Sequence, residues 1–201
     1  MIDEGVFRLC LAAQLAICLP AEAYFRLRTH VWGERLDRRQ EGLLILATLR
    51  PLLAARLAAI LAFIANPLWM SWSSLPLPTW LRGLGIACGV VSSVLMIWIF
   101  SSLGRNLTDT VVARRHAKLV TAGPYRWVRH PLYLSFAVVA VGDTLMTASW
   151  FVGLTGAGVL AVLALRTPIE ERNLIERFGD EYRAYSESTG KYWPAWRPRK
   201  A

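Results

Sequence analysis

Long apolar stretches separated by tight clusters of charge constrain this chain more than any other feature. About 20 predominantly apolar residues are needed for a helix to cross the hydrocarbon core of a bilayer. Val6 to Phe25 meets that length, with Arg8 and Glu22 near its ends where they can reach the interface. A second apolar region, Leu43 to Trp69, is interrupted by Arg50-Pro51 and Arg56. Either Gly42 to Arg50 lies along the interface and Leu52 to Trp69 crosses, or one longer tilted helix holds both arginines. A third span is expected from Leu81 to Leu103, a fourth starting near Leu132 and a fifth ending near Leu165. Only Thr147 to Trp150 is left for a turn between the last two, which makes them a tight antiparallel hairpin. Small residues in the fifth span (Gly153, Gly156, Gly158, Ala161) allow a close approach to a neighbour.

Composition agrees with a membrane protein. Of 201 residues, 55% are hydrophobic and 18% charged, with a mean hydropathy of +0.37, against about 25% charged in ordinary soluble domains. The expected fold is therefore all-α: about five transmembrane helices followed by a cytoplasmic helical tail. Residues 1–102 would hold the first three helices and shape acceptor access, and residues 103–201 would form the core of the site.

The net charge of +9 invites a nucleic-acid reading, but the charges sit between spans, as the positive-inside rule requires of cytoplasmic loops. The segments Arg26 to Glu41 and Arg105 to Arg129, with the tail, then share the cytoplasmic side, and the N-terminus lies outside. No nucleic-acid partner is expected. Trp69, Trp72 and Trp80 fall in an uncharged exterior loop as an aromatic belt. Cys10, Cys18 and Cys88 lie in apolar stretches without metal-ligand spacing, so neither disulfide nor metal is expected. The acidic start, Asp3-Glu4, is unlike a signal peptide, so the first apolar stretch is expected to be retained.

Two segments break this pattern. In Lys118 to Tyr133, Gly123-Pro124 demands a turn and Pro131 suits the first turn of the next helix. His130, Tyr133 and the N–H groups of that helix start are then held together at the membrane surface, where an anionic group is favoured. Tyr125 and Trp127 can stack on a ring or pack in the interface. The competing reading makes Arg126 and Arg129 plain positive-inside charges, His130 an interfacial cap and Tyr133 a belt aromatic. The second segment, Arg166 to Tyr182, leaves the fifth span. Thr167-Pro168-Ile169-Glu170 has the form of a capping box, which would account for Glu170 but not for Arg166 or Glu171. Leu174, Phe178, Tyr182 and Tyr185 share one face of the helix that follows. The hairpin brings the two segments to one membrane depth.

The runs Leu119-Val-Thr-Ala-Gly-Pro-Tyr125, Arg129-His-Pro-Leu-Tyr133 and Arg166-x-x-x-Glu170-Glu171, with Phe178-Gly179, Tyr182 and Tyr185 after them, resemble the isoprenylcysteine carboxyl methyltransferase family over roughly residues 103–196. The resemblance implies S-adenosylmethionine (AdoMet) as cofactor. Its pocket would be lined by Ala117, Lys118, Leu119, Val120, Tyr125, His130, Pro131, Leu132, Tyr133, Glu170 and Glu171. Arg166 would face the methyl acceptor, and Arg166 with Glu170 would carry catalysis. Glu170 would take the cofactor ammonium; His130 and the helix start would take its carboxylate. Many relatives carry His where this chain has Ala117, with His116 one place earlier. The implied acceptor is lipophilic or lipidated and enters from the bilayer: a prenylated cysteine carboxylate, a phospholipid amine or a small thiol. Other readings of the same motifs are an NADPH-dependent sterol-reductase-like enzyme and a non-enzymatic membrane scaffold.

Overall fold

The computed structural model describes residues 3–30, 43–104 and 118–195. Within them the chain forms helices α1 (Glu4–His30), α2 (Leu43–Ala65), α3 (Thr79–Leu103), α4 (Pro131–Thr147), α5 (Trp150–Phe178) and α6 (Asp180–Ser188). Short 3-10 turns occupy Pro67–Ser73 and Gly123–Arg126. Four helices (α1, α2, α3 and α5) are long and apolar enough to cross a membrane, and α4 is a shorter apolar helix of 17 residues. The protein is an integral membrane protein.

The second apolar region is one continuous helix through Arg50, Pro51 and Arg56. Arg56 lies inside the bundle at 4% exposure. Its guanidinium donates to Asp143 Oδ2 on α4 at 2.8 Å and to the Val152 carbonyl on α5 at 2.6 Å, while Gln14 on α1 donates to Asp143 Oδ1 at 2.8 Å. Both carboxylate oxygens are thus engaged, which a buried ion pair needs to offset its desolvation. Gly156 makes room for it: a Cβ there would meet Arg56 Nη1 at 2.6 Å.

Helix packing in lipid depends on shape fit and hydrogen bonds rather than on burial from water. The α3–α4 contact is the most extensive, and glycines explain it. A Cβ on Gly85 would lie 2.7 Å from the Gly142 carbonyl oxygen, and one on Gly142 would lie 3.0 Å from the Gly85 oxygen. A core of Phe7, Leu11, Ala59, Ile60, Phe63, Met70, Met146 and Val152 joins α1, α2, α4, α5 and the Pro67–Ser73 turn.

The predicted hairpin is present, and its turn is only Ala148-Ser149. Ala148 takes the left-handed conformation (φ 46°, ψ 44°) and Ser149 caps α5 by accepting from the Val152 N–H. The loop between α2 and α3 is tied to this turn by a 2.8 Å Ser73–Ser149 hydroxyl contact and by the Leu75 N–H donating to the Ala148 carbonyl. Trp69, Trp72 and Trp80 are exposed as expected of a belt. Arg8 reaches the last carbonyls of α2, Ile64 and Ala65, and so caps that helix.

Two expectations need correction. No helix starts at Thr167-Pro168: α5 runs unbroken to Phe178 with Pro168 inside it. Thr167 donates to the Leu163 carbonyl one turn back instead of capping, so the capping-box account of Glu170 is removed. The aromatic face read across 174–185 is also split. Gly179, at φ 56°, ends α5 and α6 sets off anew, with Tyr182 almost fully buried.

Candidate active site

The turn before α4 is fixed by Gly123, which adopts φ 61° and lies so close to Ser102 on α3 that a Cβ would clash with its hydroxyl. Pro124 follows, buried, and Tyr125 packs with Leu132 against the apolar cluster of Ile99 and Phe100. Pro131 opens α4 as predicted, with His130 as its N-cap residue. At 29 residues, α5 is about 43 Å long at 1.5 Å per residue, well beyond a hydrocarbon core of about 30 Å. Its polar last turns, from Arg166 onward, therefore project past the apolar part of the span.

The structure brings the two predicted segments together. Tyr133 donates to Glu170 Oε2 at 2.5 Å across the hairpin. The His130 ring stacks on Tyr133 at 5.2 Å with an 18° interplanar angle, and Arg166 is close enough to Tyr133 to interact electrostatically. Glu171 gathers three nitrogens: Arg129 Nε at 3.0 Å and His130 Nε2 at 3.3 Å on one oxygen, and Lys191 Nζ at 3.0 Å on the other. The neighbouring glutamates thus have different environments, Glu170 facing a phenol and Glu171 sitting at the centre of an ionic knot. Leu119 and Val120 are half-buried in the non-helical stretch ahead of Gly123, and Lys118 there is exposed. Ala117 lies outside the described residues. Among the described residues no group of His, Cys, Asp or Glu is placed to hold a metal.

The family resemblance extends over the tail to about residue 196, but the sequence singled out no site residue after Tyr185. Residues 189–192 lie beside 128–130, with the Arg129 N–H donating to the Gly190 carbonyl at 2.8 Å and the His130 N–H to the Lys191 carbonyl at 3.0 Å. The Arg129 guanidinium also donates to the Ser186 and Thr189 carbonyls, each at 2.5 Å. This strap sets the Tyr192 ring 5.8 Å from His130 and 6.5 Å from Tyr133, with its hydroxyl 2.7 Å from Thr167 Oγ1. Such a strap has no hydrophobic period, so nothing in its local sequence signals where it lies. On the other flank, the Tyr185 hydroxyl donates to the Tyr125 carbonyl at 2.7 Å. Burial raises the Tyr185 phenol to about 12. Burial, then the negative charge of Glu170, pushes Tyr125 up, and burial, then Glu171, does the same for Tyr182. All three remain neutral at physiological pH.

A histidine, two acids and interlocked phenols whose ionisation is suppressed, gathered at one end of a membrane hairpin, are the kind of cluster found at functional sites. The chain belongs to the isoprenylcysteine carboxyl methyltransferase family. The model of that family matches residues 85–176. Protein-S-isoprenylcysteine O-methyltransferase B of Arabidopsis thaliana is 30% identical over 136 residues, covering 66% of this chain and 68% of the relative. The methanethiol S-methyltransferase of Mycobacterium tuberculosis is 39% identical over 70 residues, covering 35% of this chain and 28% of that protein. The fold resembles a solved structure of the eukaryotic intramembrane Ras methyltransferase ICMT, with a TM-score of 0.55 and 24% identity over 71% of this chain and 52% of that one.

Proposed function

We propose that this protein is an AdoMet-dependent methyltransferase acting on a lipophilic acceptor at the membrane, with an isoprenylcysteine-like carboxylate as the foremost acceptor. The observation that carries the reading is the Tyr133–Glu170 contact across the α4–α5 hairpin, which joins both family motifs in one place. The residues present fit the cofactor. Glu170 and the phenol oxygen of Tyr133 suit an ammonium, and the rings of His130, Tyr133 and Tyr125 suit an adenine or a sulfonium. Bound AdoMet would supply an electrophilic methyl group. The protein's share of the work is to orient acceptor and donor in line and to exclude water.

Arg166 is the residue proposed to face the acceptor. A carboxylate is already nucleophilic and needs only an orienting cation, which a guanidinium supplies. The engagement of His130 Nε2 by Glu171 favours a structural share for that histidine beside any contact with the cofactor carboxylate. In the proposed organisation, residues 1–102 shape acceptor entry and residues 103–201 form the site, with the N-terminus outside and the C-terminus cytoplasmic. Arg26, Arg28 and the positive charge of residues 105–129 support that orientation by the positive-inside rule.

A second acceptor class rests on the 39% identity to a methanethiol S-methyltransferase, which falls on a short part of the chain. A thiol must lose its proton before attack, so that reading requires a base in the site. The test is calorimetric titration of purified protein with S-adenosylhomocysteine. It is followed by incubation with labelled AdoMet and either N-acetyl-farnesylcysteine or a small thiol. Saturable binding and label on the farnesylcysteine carboxylate are expected. Label on the thiol alone would replace the acceptor, and no binding would overturn the reading.

A further inference from the structure

The hydroxyl protons of the site are accounted for one by one. Thr167 is fully buried and has a single proton, which goes to the Leu163 carbonyl at 2.9 Å. The 2.7 Å contact between Thr167 Oγ1 and the Tyr192 hydroxyl therefore has one direction: Tyr192 donates and Thr167 accepts. Tyr133 spends its proton on Glu170 Oε2. The phenol oxygens of Tyr133 and Tyr192, on rings 6.5 Å apart, are left able to accept hydrogen bonds and not to give them. With the Glu170 carboxylate on Tyr133, and the Tyr192 ring tilted at 47° to His130 and 30° to Tyr133 so that it closes one side of the stacked His130–Tyr133 pair, this wall suits a cation that carries N–H or O–H donors. The nearby cations Arg129 and Lys191 are both ion-paired with Glu171, and Lys191 Nζ also lies 6.0 Å from the centre of the Tyr192 ring, so a cation is already tolerated against this wall.

We propose that Tyr192 is a ligand-contacting residue of the site: its ring completes the aromatic wall begun by His130 and Tyr133, and its hydroxyl oxygen accepts from the donor-bearing, cationic end of the methyl donor. This rests on the AdoMet reading above. A purely structural duty, fastening the strap to α5, is already met by other contacts. Two backbone hydrogen bonds, the Arg129 guanidinium and the Lys191–Glu171 pair all hold residues 189–191 in place.

Two substitutions break the same Thr167–Tyr192 hydrogen bond from opposite ends and so separate the two roles. Y192F removes the phenol oxygen; T167V removes only its protein partner. With S-adenosylhomocysteine as the probe, which keeps the ammonium, ribose hydroxyls and adenine, Y192F is expected to weaken binding by about tenfold, the equivalent of one charge-assisted hydrogen bond. T167V is expected to weaken it less than about threefold, although both variants lower the Tm alike. Equal losses in the two variants, or unchanged affinity in Y192F, would overturn the inference while leaving the methyltransferase reading intact. Absence of binding by the unaltered protein would overturn that reading and this inference with it.

Discussion

Adjacent glutamates on α5 illustrate how much a residue's surroundings decide. Glu170→Gln should leave the fold in place, since the amide oxygen can still accept from Tyr133, but reduce kcat/KM by about 100-fold or more if the carboxylate holds the cofactor ammonium (a charged contact worth about 3 kcal/mol). Parallel Tm and rate measurements check this. Glu171→Gln should act differently, because it leaves Arg129, His130 and Lys191 without their shared carboxylate. The knot is partly exposed to solvent, so a loss of about 1–2 kcal/mol is expected, read as a lower Tm in detergent. The phenols make a pH prediction. Tyr185 is neutral in the fold up to about 12 but ionises near 10.0 when unfolded, and Tyr125 and Tyr182 shift the same way. Their folded pKa lies above the unfolded one, so their contribution is complete below pH 10 and declines as pH rises toward 12. A pH–Tm series should be steepest in that window, and Tyr185→Phe should flatten it. From sequence, Tyr133 and Glu170 were legible because their motifs fixed them. Thr167, Lys191 and Tyr192 were not, because nothing local in a short strap says which partner it lies beside.

Among the elements, hydropathy alone revealed the apolar helices and the tightness of the hairpin. It failed where the deciding partner was remote. Whether Arg56 could sit inside α2 depended on Asp143, 87 positions later, and the four residues from Thr167 to Glu170 resemble a helix start although they lie within α5. The glycines of the fifth span were legible as small; that Gly85 and Gly142 face each other was not, since α3 and α4 meet only in three dimensions. Gly142→Ala is expected to destabilise the α3–α4 crossing by about 1–3 kcal/mol, because its new methyl meets backbone as well as side chain. Ala148→Gly should do the opposite, relieving a left-handed alanine and raising stability by up to about 1 kcal/mol. Unfolding midpoints of the two variants in one detergent test both.

For the whole molecule, the Gln14–Asp143–Arg56 network ties α1, α2, α4 and α5 together in the bundle interior. Arg56→Met or Asp143→Leu alone should cost about 3–5 kcal/mol by leaving one charge without its counterpart, and the double variant should recover most of the loss; a double-mutant cycle on Tm measures it. The same pair bears on how the protein is made. An arginine near the middle of a nascent membrane helix costs about 2.5–3.5 kcal/mol at insertion. When α2 leaves the ribosome, the carboxylate that neutralises Arg56 has yet to be translated. The first half of the chain is therefore expected to pack fully only once α4 delivers Asp143, with Arg56 snorkelling toward the headgroups until then. Assembly of this bundle is then a late event, completed by the same hairpin that holds the proposed site.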